Sequence, residues 1–209
     1  MSRMVFILGN PGTGKTSSLR NLKKNEVGYI SVSGKELGFK SDIQPVVVKN
    51  LASLIEVVKK SSKPIVVIDD LNFVFNHEVH AAKDNSDQWN VFRKIKDDFY
   101  ELVEAIISKP TKQNFYCMAH IEPNEQNLVW MKTAGNAIRK DITPEGLTNI
   151  VLESMYSELD GGFVFRVKSD GRGVKSPGFG GDTMFDQEYV PNDLKDINNK
   201  INEYYKETK

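Results

Sequence analysis

The 209-residue sequence predicts an α/β fold, with a mostly parallel sheet followed by a C-terminal β-hairpin and helix. Short apolar runs alternate along the chain with stretches whose apolar residues recur at helical spacing. Residues 64–70 are apolar without interruption up to two final acids, as expected of a parallel strand buried on both faces. Near the C-terminus, Asp160, Gly161 and Gly162 separate two strand-like runs, which indicates a hairpin.

The first predicted strand leads directly into a glycine-rich loop. Gly9, Gly14, Lys15 and Thr16 follow the spacing G-x-x-x-x-G-K-[ST], the phosphate-binding P-loop pattern. Its glycines let backbone N–H groups point at phosphate oxygens, and a helix expected from near Gly14 adds the positive end of its dipole. Lys15 is expected to contact the β- and γ-phosphates, and Thr16 to bind Mg²⁺. The predicted nucleotide-binding residues are Gly9, Asn10, Pro11, Gly12, Thr13, Gly14, Lys15, Thr16 and Ser17.

The remaining elements follow from periodicity and from turn and cap residues. Strands are predicted at residues 28–33, 45–48, 114–120, 149–152 and 162–167. Helices are predicted after Asn50, from Asp87 and after residues 191–192, and polar residues 71–86 are expected to be irregular. The apolar faces of these helices comprise Leu51, Leu54, Ile55 and Val58; Trp89, Phe92, Ile95, Phe99, Leu102, Val103 and Ile106; and Leu194, Ile197, Ile201 and Tyr204.

Polar residues stand at the ends of two of these strands. Asp69 and Asp70 close the run 64–70, and His120 closes 114–120. Asp69 is predicted to coordinate Mg²⁺ through water, and Asp70 to orient or deprotonate an attacking water. If the sheet is parallel, His120 lies beside these acids, where it could sense the γ-phosphate or that water. An ordinary structural role, as a helix cap, a solvated acid or a strand-end hydrogen bond, stays open for each of the three.

Composition limits the function classes. Lys plus Arg and Asp plus Glu both number 28, so the chain has no overall basic footprint for nucleic acid. The single cysteine, Cys117, excludes a disulfide framework and a cysteine zinc site. No apolar stretch approaches the roughly 18 residues of a membrane span, and the first strand starts too early to leave room for a signal peptide. We therefore expect one soluble, cytoplasmic domain over residues 1–209.

The sequence resembles the phage-encoded RecA-like P-loop ATPases, which are found near single-strand-annealing recombination genes and are usually labelled AAA-family ATP-binding proteins. The P-loop alone is not specific to this group, and the later segments in this order are much more so. The segments that carry the resemblance are 9–16, 65–70, 116–120, 132–135, 142–147, 175–177 and 191–194. It implies a RecA-like core, binding and hydrolysis of ATP with Mg²⁺, self-assembly into a ring or filament, and a role with single-stranded DNA and phage recombination or replication proteins in the host cytoplasm.

The resemblance also implies that a neighbouring subunit completes the nucleotide site with a basic residue. Lys132 and Arg139 are the candidates, because both lie on the long connection that follows His120. One departure concerns the catalytic base. RecA-like enzymes usually carry a glutamate at the end of the strand after the P-loop helix, whereas here that strand ends at Ser33-Gly34 and the nearest acid is Glu36.

Two long connections are the candidate DNA contacts. A single strand needs cations along its backbone and an aromatic ring for base stacking. The first connection, residues 121–148, carries Trp130, Lys132, Arg139 and Lys140, and the second, glycine-rich one carries Lys168, Arg172 and Lys175. The alternative is that Trp130 packs under its own loop and the lysines are ordinary surface charges.

Two other functions remain open beside a DNA-linked ATPase. A small-molecule or nucleotide kinase also uses a P-loop, but it needs a lid with several arginines, and the later chain offers Arg139, Arg166 and Arg172. A nucleotide-dependent assembly module would hydrolyse ATP only weakly.

Overall fold

The computed structural model describes residues 2–83, 87–122, 124–135, 139, 142–169, 171–179 and 182–207. The strands are β1 (Arg3–Leu8), β2 (Val27–Ser31), β3 (Pro45–Val47), β4 (Ile65–Asp69), β5 (Asn114–Ala119), β6 (Val151–Ser157), β7 (Gly162–Arg166), β8 (Gly178–Phe179), β9 (Asp182–Thr183) and β10 (Tyr189–Pro191). The α-helices are α1 (Leu51–Lys60), α2 (Asn72–Ala81), α3 (Gln88–Ile107) and α4 (Leu194–Glu207). Short 3₁₀ helices lie at Thr16–Asn21 and Pro144–Leu147.

Within the described residues, eight strands form one sheet in the order β10-β7-β6-β1-β5-β4-β2-β3. The strands from β6 to β3 are parallel, whereas β7 and β10 are antiparallel to their neighbours. This topology confirms the predicted α/β class, the mostly parallel sheet and the C-terminal hairpin and helix. Because β5 lies between β1 and β4, the carboxyl ends of these three strands meet at one edge, where ligands of parallel sheets bind.

The sheet is buried on both faces because its central strands are apolar at nearly every position. Alternate residues such as Phe6 and Ile68 pack against α1, α2 and α3, and their neighbours such as Ile7 and Val67 pack toward α4 and the first 3₁₀ helix. All five residues of β4 are buried. None of the described helices is long and apolar enough to cross a membrane.

The helices that carry strong periodicity form as predicted. Asn50 caps α1, because its side chain accepts a hydrogen bond from the Ser53 N–H at 2.8 Å. The predicted face of α1 is buried, and so are Leu194, Ile197 and Ile201 on α4.

Two sequence expectations about helices were wrong. Residues 72–81, expected to be irregular, form α2, which has no side-chain N-cap and is held by buried Val74 and Phe75 rather than by periodicity. Trp89, placed in the apolar stripe of α3, is 70% exposed. It lies in the first turn of α3, whereas Val91 and Phe92 are partly buried against the core and the first fully buried residue of the helix is Ile95.

Candidate nucleotide-binding site

A cavity of about 290 Å³ opens at the carboxyl edge of the sheet. The loop after β1, the ends of β4 and β5, the segment after β2 and the hairpin β6–β7 all contribute to its wall. Its lining residues are Pro11, Gly12, Gly14, Lys15, Thr16, Ser17, Tyr29, Lys35, Glu36, Gly38, Asp69, Asp70, His120 and Phe163.

The P-loop is closed around its own lysine. Lys15 is buried, and its Nζ donates to the carbonyl oxygens of Gly9 at 2.8 Å and Asn10 at 2.9 Å. Gly12 and Gly14 have φ of +78° and +88°, values that side-chain-bearing residues rarely adopt. The ammonium group is therefore held inside the loop, where it can exchange two carbonyl partners for phosphate oxygens.

Burial is the main influence on the charge of Lys15. It lowers the pKa of the ammonium group to about 8, against the opposing attraction of the Asp69 and Asp70 carboxylates. A bound triphosphate would add negative charge next to the same group and favour its protonated form. Lys15 is thus a cation whose protonation the ligand can control.

The helix after the P-loop is short. It is a six-residue 3₁₀ helix that begins at Thr16, since only five residues separate its end from the start of β2 at Val27. A helix was expected from near Gly14, and so short a 3₁₀ helix contributes little of the dipole predicted for it. Phosphate binding falls instead to the loop backbone and Lys15.

Thr16 and Asp69 lie together, as the predicted Mg²⁺ site requires. The Thr16 hydroxyl donates to Asp69 Oδ2 at 2.8 Å, and the Tyr29 hydroxyl donates to the same oxygen at 2.9 Å. Burial and then the neighbouring Asp70 raise the pKa of the Asp69 carboxyl group. A hydroxyl and a carboxylate suit Mg²⁺, which prefers oxygen ligands and takes its remaining ones from phosphates and water. The residues present fit this ion.

Asp70 occupies the turn between β4 and α2 in a left-handed backbone conformation, with φ of +58°. Asp and Asn tolerate this region better than other residues with side chains, and such conformations cluster at functional sites. Its carboxylate lies 3.4 Å from Lys35 Nζ and 3.4 Å from His120 Nε2. Asp70 therefore points into the cavity between two basic side chains.

His120 connects the acids to the P-loop. Its Nδ1 lies 3.3 Å from Lys15 Nζ, and its backbone N–H donates to Asn72 Oδ1 at 3.0 Å. Burial and then the charge of Lys15 lower the pKa of its imidazole. A neutral ring protonated on Nε2 satisfies both neighbours, because Nδ1 accepts from Lys15 while Nε2–H faces Asp70.

The structure brings together most of the predicted catalytic and metal residues, but Arg139 lies elsewhere. Its Nη1 donates to Met131 O at 3.2 Å and to Glu145 Oε1 at 3.1 Å. Its guanidinium carbon also lies 4.6 Å from the centroid of the Trp130 ring. In this structure Arg139 stabilises its own connection, and a role in a neighbour's site would require it to leave these partners.

The two predicted DNA connections meet each other. The Val129 N–H donates to Arg172 O at 2.6 Å, which joins the two connections. The backbones of Lys175 and of Val151 in β6 exchange hydrogen bonds of 2.8 and 2.9 Å, which join the second connection to the sheet. Residues 124–135 and 171–175 are called the paired connections below. Lys132 and Arg172 are exposed, while Lys168 donates to Asp186 O at 2.6 Å. Lys140, grouped with them by sequence, lies outside the described residues.

Several cavity residues escaped the sequence prediction of the site. Tyr29 and Phe163 lie within strands, and Lys35 lies in a loop with no motif. Only the sheet register and the hairpin bring these residues to the P-loop, so no pattern in the sequence around them predicts their place in the site. Glu36 was noted only as the nearest acid after β2, and it does line the cavity.

A family model described as the ATPase family associated with various cellular activities (AAA) matches residues 5–136. The match begins in β1 and includes the P-loop, Asp69, Asp70 and His120. No curated protein matches the chain.

Proposed function

The chain belongs to the AAA family of ATPases, and we propose that it binds ATP with Mg²⁺ in the cavity beside the P-loop and hydrolyses it. The observation that carries this proposal is the contact of 2.8 Å between the Thr16 hydroxyl and Asp69, beside the buried Lys15. The P-loop follows β1, and Asp69 ends β4, which is separated from β1 in the sheet by β5. The contact therefore joins a P-loop hydroxyl to a carboxylate from a different strand. P-loop NTPases use this pair of oxygens to hold Mg²⁺.

Each side chain has a distinct part in this reaction. With ATP bound, Lys15 would exchange the carbonyl oxygens of Gly9 and Asn10 for phosphate oxygens, and Thr16 and Asp69 would hold the metal. When bound, Mg²⁺ neutralises charge on the phosphate oxygens. His120 reports on the γ-phosphate through its contact with Lys15, which ligand binding would alter.

The attacking water is assigned to Asp70, with Glu36 as the second carboxylate of the cavity. Asp70 is held between Lys35 and His120, so its orientation is defined before the ligand binds. Asp70→Asn keeps the left-handed turn and removes the base, which makes it a cleaner test than alanine. Comparing it with Glu36→Gln identifies which acid limits hydrolysis.

The test is phosphate release from ATP by the purified chain, with and without Mg²⁺ and with no acceptor added. Release that depends on Mg²⁺ supports the proposal. Phosphate transfer only when an acceptor is present would favour the kinase alternative. Binding of ATP with almost no release, with or without DNA, would favour the weakly hydrolysing assembly module.

We further propose that ATP binding controls assembly and contact with single-stranded DNA in phage recombination or replication, as the resemblance implies. Two observations support a link. The paired connections place Trp130, Lys132 and Arg172 on one joined segment, and the Lys132 N–H donates to His120 O at 2.7 Å. A change at His120 on ATP binding therefore has a direct backbone route to these residues. The test is native mass and single-strand binding, each with and without ATP.

A further inference from the structure

The hairpin β6–β7 is fixed to the P-loop at two points. Ser154 Oγ donates to Thr13 O at 2.7 Å. Phe163 lies so close to Gly14 that a Cβ added there would be 2.6 Å from the Phe163 Cγ atom. The Phe163 ring is therefore seated directly on the P-loop backbone, at a distance that only a glycine allows.

This ring is also open to the cavity. Phe163 lines the cavity and is 40% exposed, whereas the next two residues of β7 are buried. Its cross-strand partner is Tyr156, whose ring stands edge-on to it with centroids 5.7 Å apart and planes at 80°. Tyr156 thus supports the ring from the side. An exposed aromatic pair beside a phosphate loop has no evident part in folding the core.

Sheet order separates this ring from the reacting end of the cavity. β6 and β7 lie on one side of β1, while β5 and β4, which lead to His120 and Asp70, lie on the other. A triphosphate held by the loop would present its γ-phosphate to His120 and Asp70. Its nucleoside would then extend toward the hairpin.

We propose that Phe163, supported by Tyr156, forms the subsite for the base of the nucleotide, an inference that rests on the proposed binding of ATP at the P-loop. Most of the other lining side chains are charged or polar and suit phosphates and a metal ion. A phenyl ring has no group that binds either of these. The base is the part of a nucleotide with a π face, and aromatic side chains bind bases by stacking. Stacking contacts the face of a base and not its hydrogen-bonding edge, so the ring itself does not select one base over another.

The experiment compares binding of Mg²⁺-ATP and of Mg²⁺-tripolyphosphate, which has the phosphates but no base, by calorimetry on the full chain. Phe163→Leu keeps apolar contact with Gly14 but removes the π face, Phe163→Trp keeps the π face, and Leu159→Ala is the matched control. Leu159 lies at the tip of the same hairpin, is fully exposed and does not line the cavity. We expect Phe163→Leu to weaken ATP binding about tenfold and leave tripolyphosphate binding within about twofold. Leu159→Ala should bind both ligands as the unmodified chain does, and Phe163→Trp should bind ATP more tightly than Phe163→Leu.

Each other outcome has a definite meaning. Equal loss of both ligands in a folded Phe163→Leu chain would show that the ring only shapes the P-loop, and this overturns the subsite. Unchanged ATP binding overturns it as well, and a simultaneous loss of self-association would assign the ring to contact with a second copy. If the unmodified chain binds neither ligand, or if Lys15→Ala binds both ligands as tightly as the unmodified chain does, the proposed function is wrong and the subsite is wrong with it.

Discussion

In the nucleotide cavity, polar and charged side chains contact residues from other elements, whereas Arg139, on the connection formed by residues 121–148, contacts its own segment. Lys15 reaches His120 across the gap between two parallel strands, and Thr16 reaches Asp69. Arg139, by contrast, binds Met131 and Glu145 within its own connection. Sheet register sets the geometry of the cavity, while the Arg139 side chain depends on contacts within residues 121–148 that can rearrange without breaking the sheet.

This difference separates two kinds of function. A site for phosphoryl chemistry needs fixed distances, because misplacement of the reacting groups costs rate. A surface that binds a flexible single strand gains from loops that adapt. The two regions meet at His120, whose side chain belongs to the cavity and whose carbonyl oxygen binds the connection. If the difference holds, substitutions in the cavity should mainly change ATP binding and hydrolysis. Substitutions in the connections should mainly change stability or single-strand binding.

The largest effect is expected from Lys15→Ala, which should lower ATP hydrolysis at least about 100-fold by removing the charge that contacts the phosphates. Because burial disfavours the charged lysine, the substitution should not lower the free energy of unfolding. Phosphate release and urea unfolding measure the two effects. Lys59→Ala is the control, since Lys59 is an exposed lysine paired with Glu101 on the surface. Hydrolysis at the unmodified rate in Lys15→Ala would refute the P-loop assignment.

A smaller loss, about 10–100-fold, is expected from Asp69→Asn. The amide still accepts hydrogen bonds from Thr16 and Tyr29, so the loss should appear in Mg²⁺-dependent hydrolysis more than in binding of ATP. Turnover over a range of Mg²⁺ concentrations and calorimetric ATP binding measure the two quantities. Tyr29→Phe, which removes only one donor to the same oxygen, should have the milder effect. Equal loss of binding and hydrolysis in a folded chain would make Asp69 a structural residue.

Arg139→Ala tests whether the first connection is held by its own contacts. Loss of the hydrogen bonds to Met131 and Glu145 should lower the free energy of unfolding by about 1–3 kcal/mol, measured with urea. Lys132→Ala, an exposed control on the same segment, should change it by less than about 0.5 kcal/mol. If Arg139→Ala is fully stable and loses hydrolysis only in the assembled state, Arg139 completes a neighbour's site. Partial recovery on mixing it with Lys15→Ala subunits would support the same conclusion.

ATP affinity should fall about tenfold for each pH unit above about 8, because the free chain then loses the Lys15 proton that the bound phosphates require. Calorimetry between about pH 7 and 9.5 measures this slope. Lys15→Arg, which stays charged throughout, should bind with little pH dependence. The stability of the free chain should change with pH in the opposite direction to ATP affinity. The unfolded lysine keeps its proton up to its ordinary pKa of 10.5, so the Lys15 contribution to the free energy of unfolding rises with pH between about 8 and that value. A flat affinity profile for the unmodified chain would contradict this assignment.

Motif spacing made the chemical end of the cavity predictable, because a strand, the P-loop and a second strand ending in acids can be arranged in few ways. Asp69 and His120 followed from the rule that parallel strands end at one edge. Phe163 could not be found in this way, since the cross-strand register of the hairpin brings it to Gly14. α2 escaped for a related reason: its polar sequence is helical through buried Val74 and Phe75. Contacts that follow from the shared edge of parallel strands were predictable, whereas contacts set by the hairpin register or by buried side chains of a polar segment were not.

The smallest effect concerns the salt dependence of single-strand binding at the paired connections. Each lost phosphate contact should lower the slope of log affinity against log salt by about 0.7. Arg172→Ala and Lys175→Ala should each flatten that slope, whereas Trp130→Ala should weaken binding without changing it, because stacking releases no counterions. Trp130 lies beneath the Arg139 guanidinium, so a base that stacks on it must displace Arg139 or stack on the guanidinium itself.

Arg139→Lys distinguishes the two ways in which a base could bind at Trp130. It keeps the charge but removes the flat guanidinium that covers the Trp130 ring. If bases displace Arg139, binding should tighten slightly in this variant and the slope should stay the same. If bases stack on the guanidinium, binding should weaken. Fluorescence titrations at several salt concentrations distinguish the two outcomes, and unchanged binding in all four variants would show that the paired connections do not hold DNA.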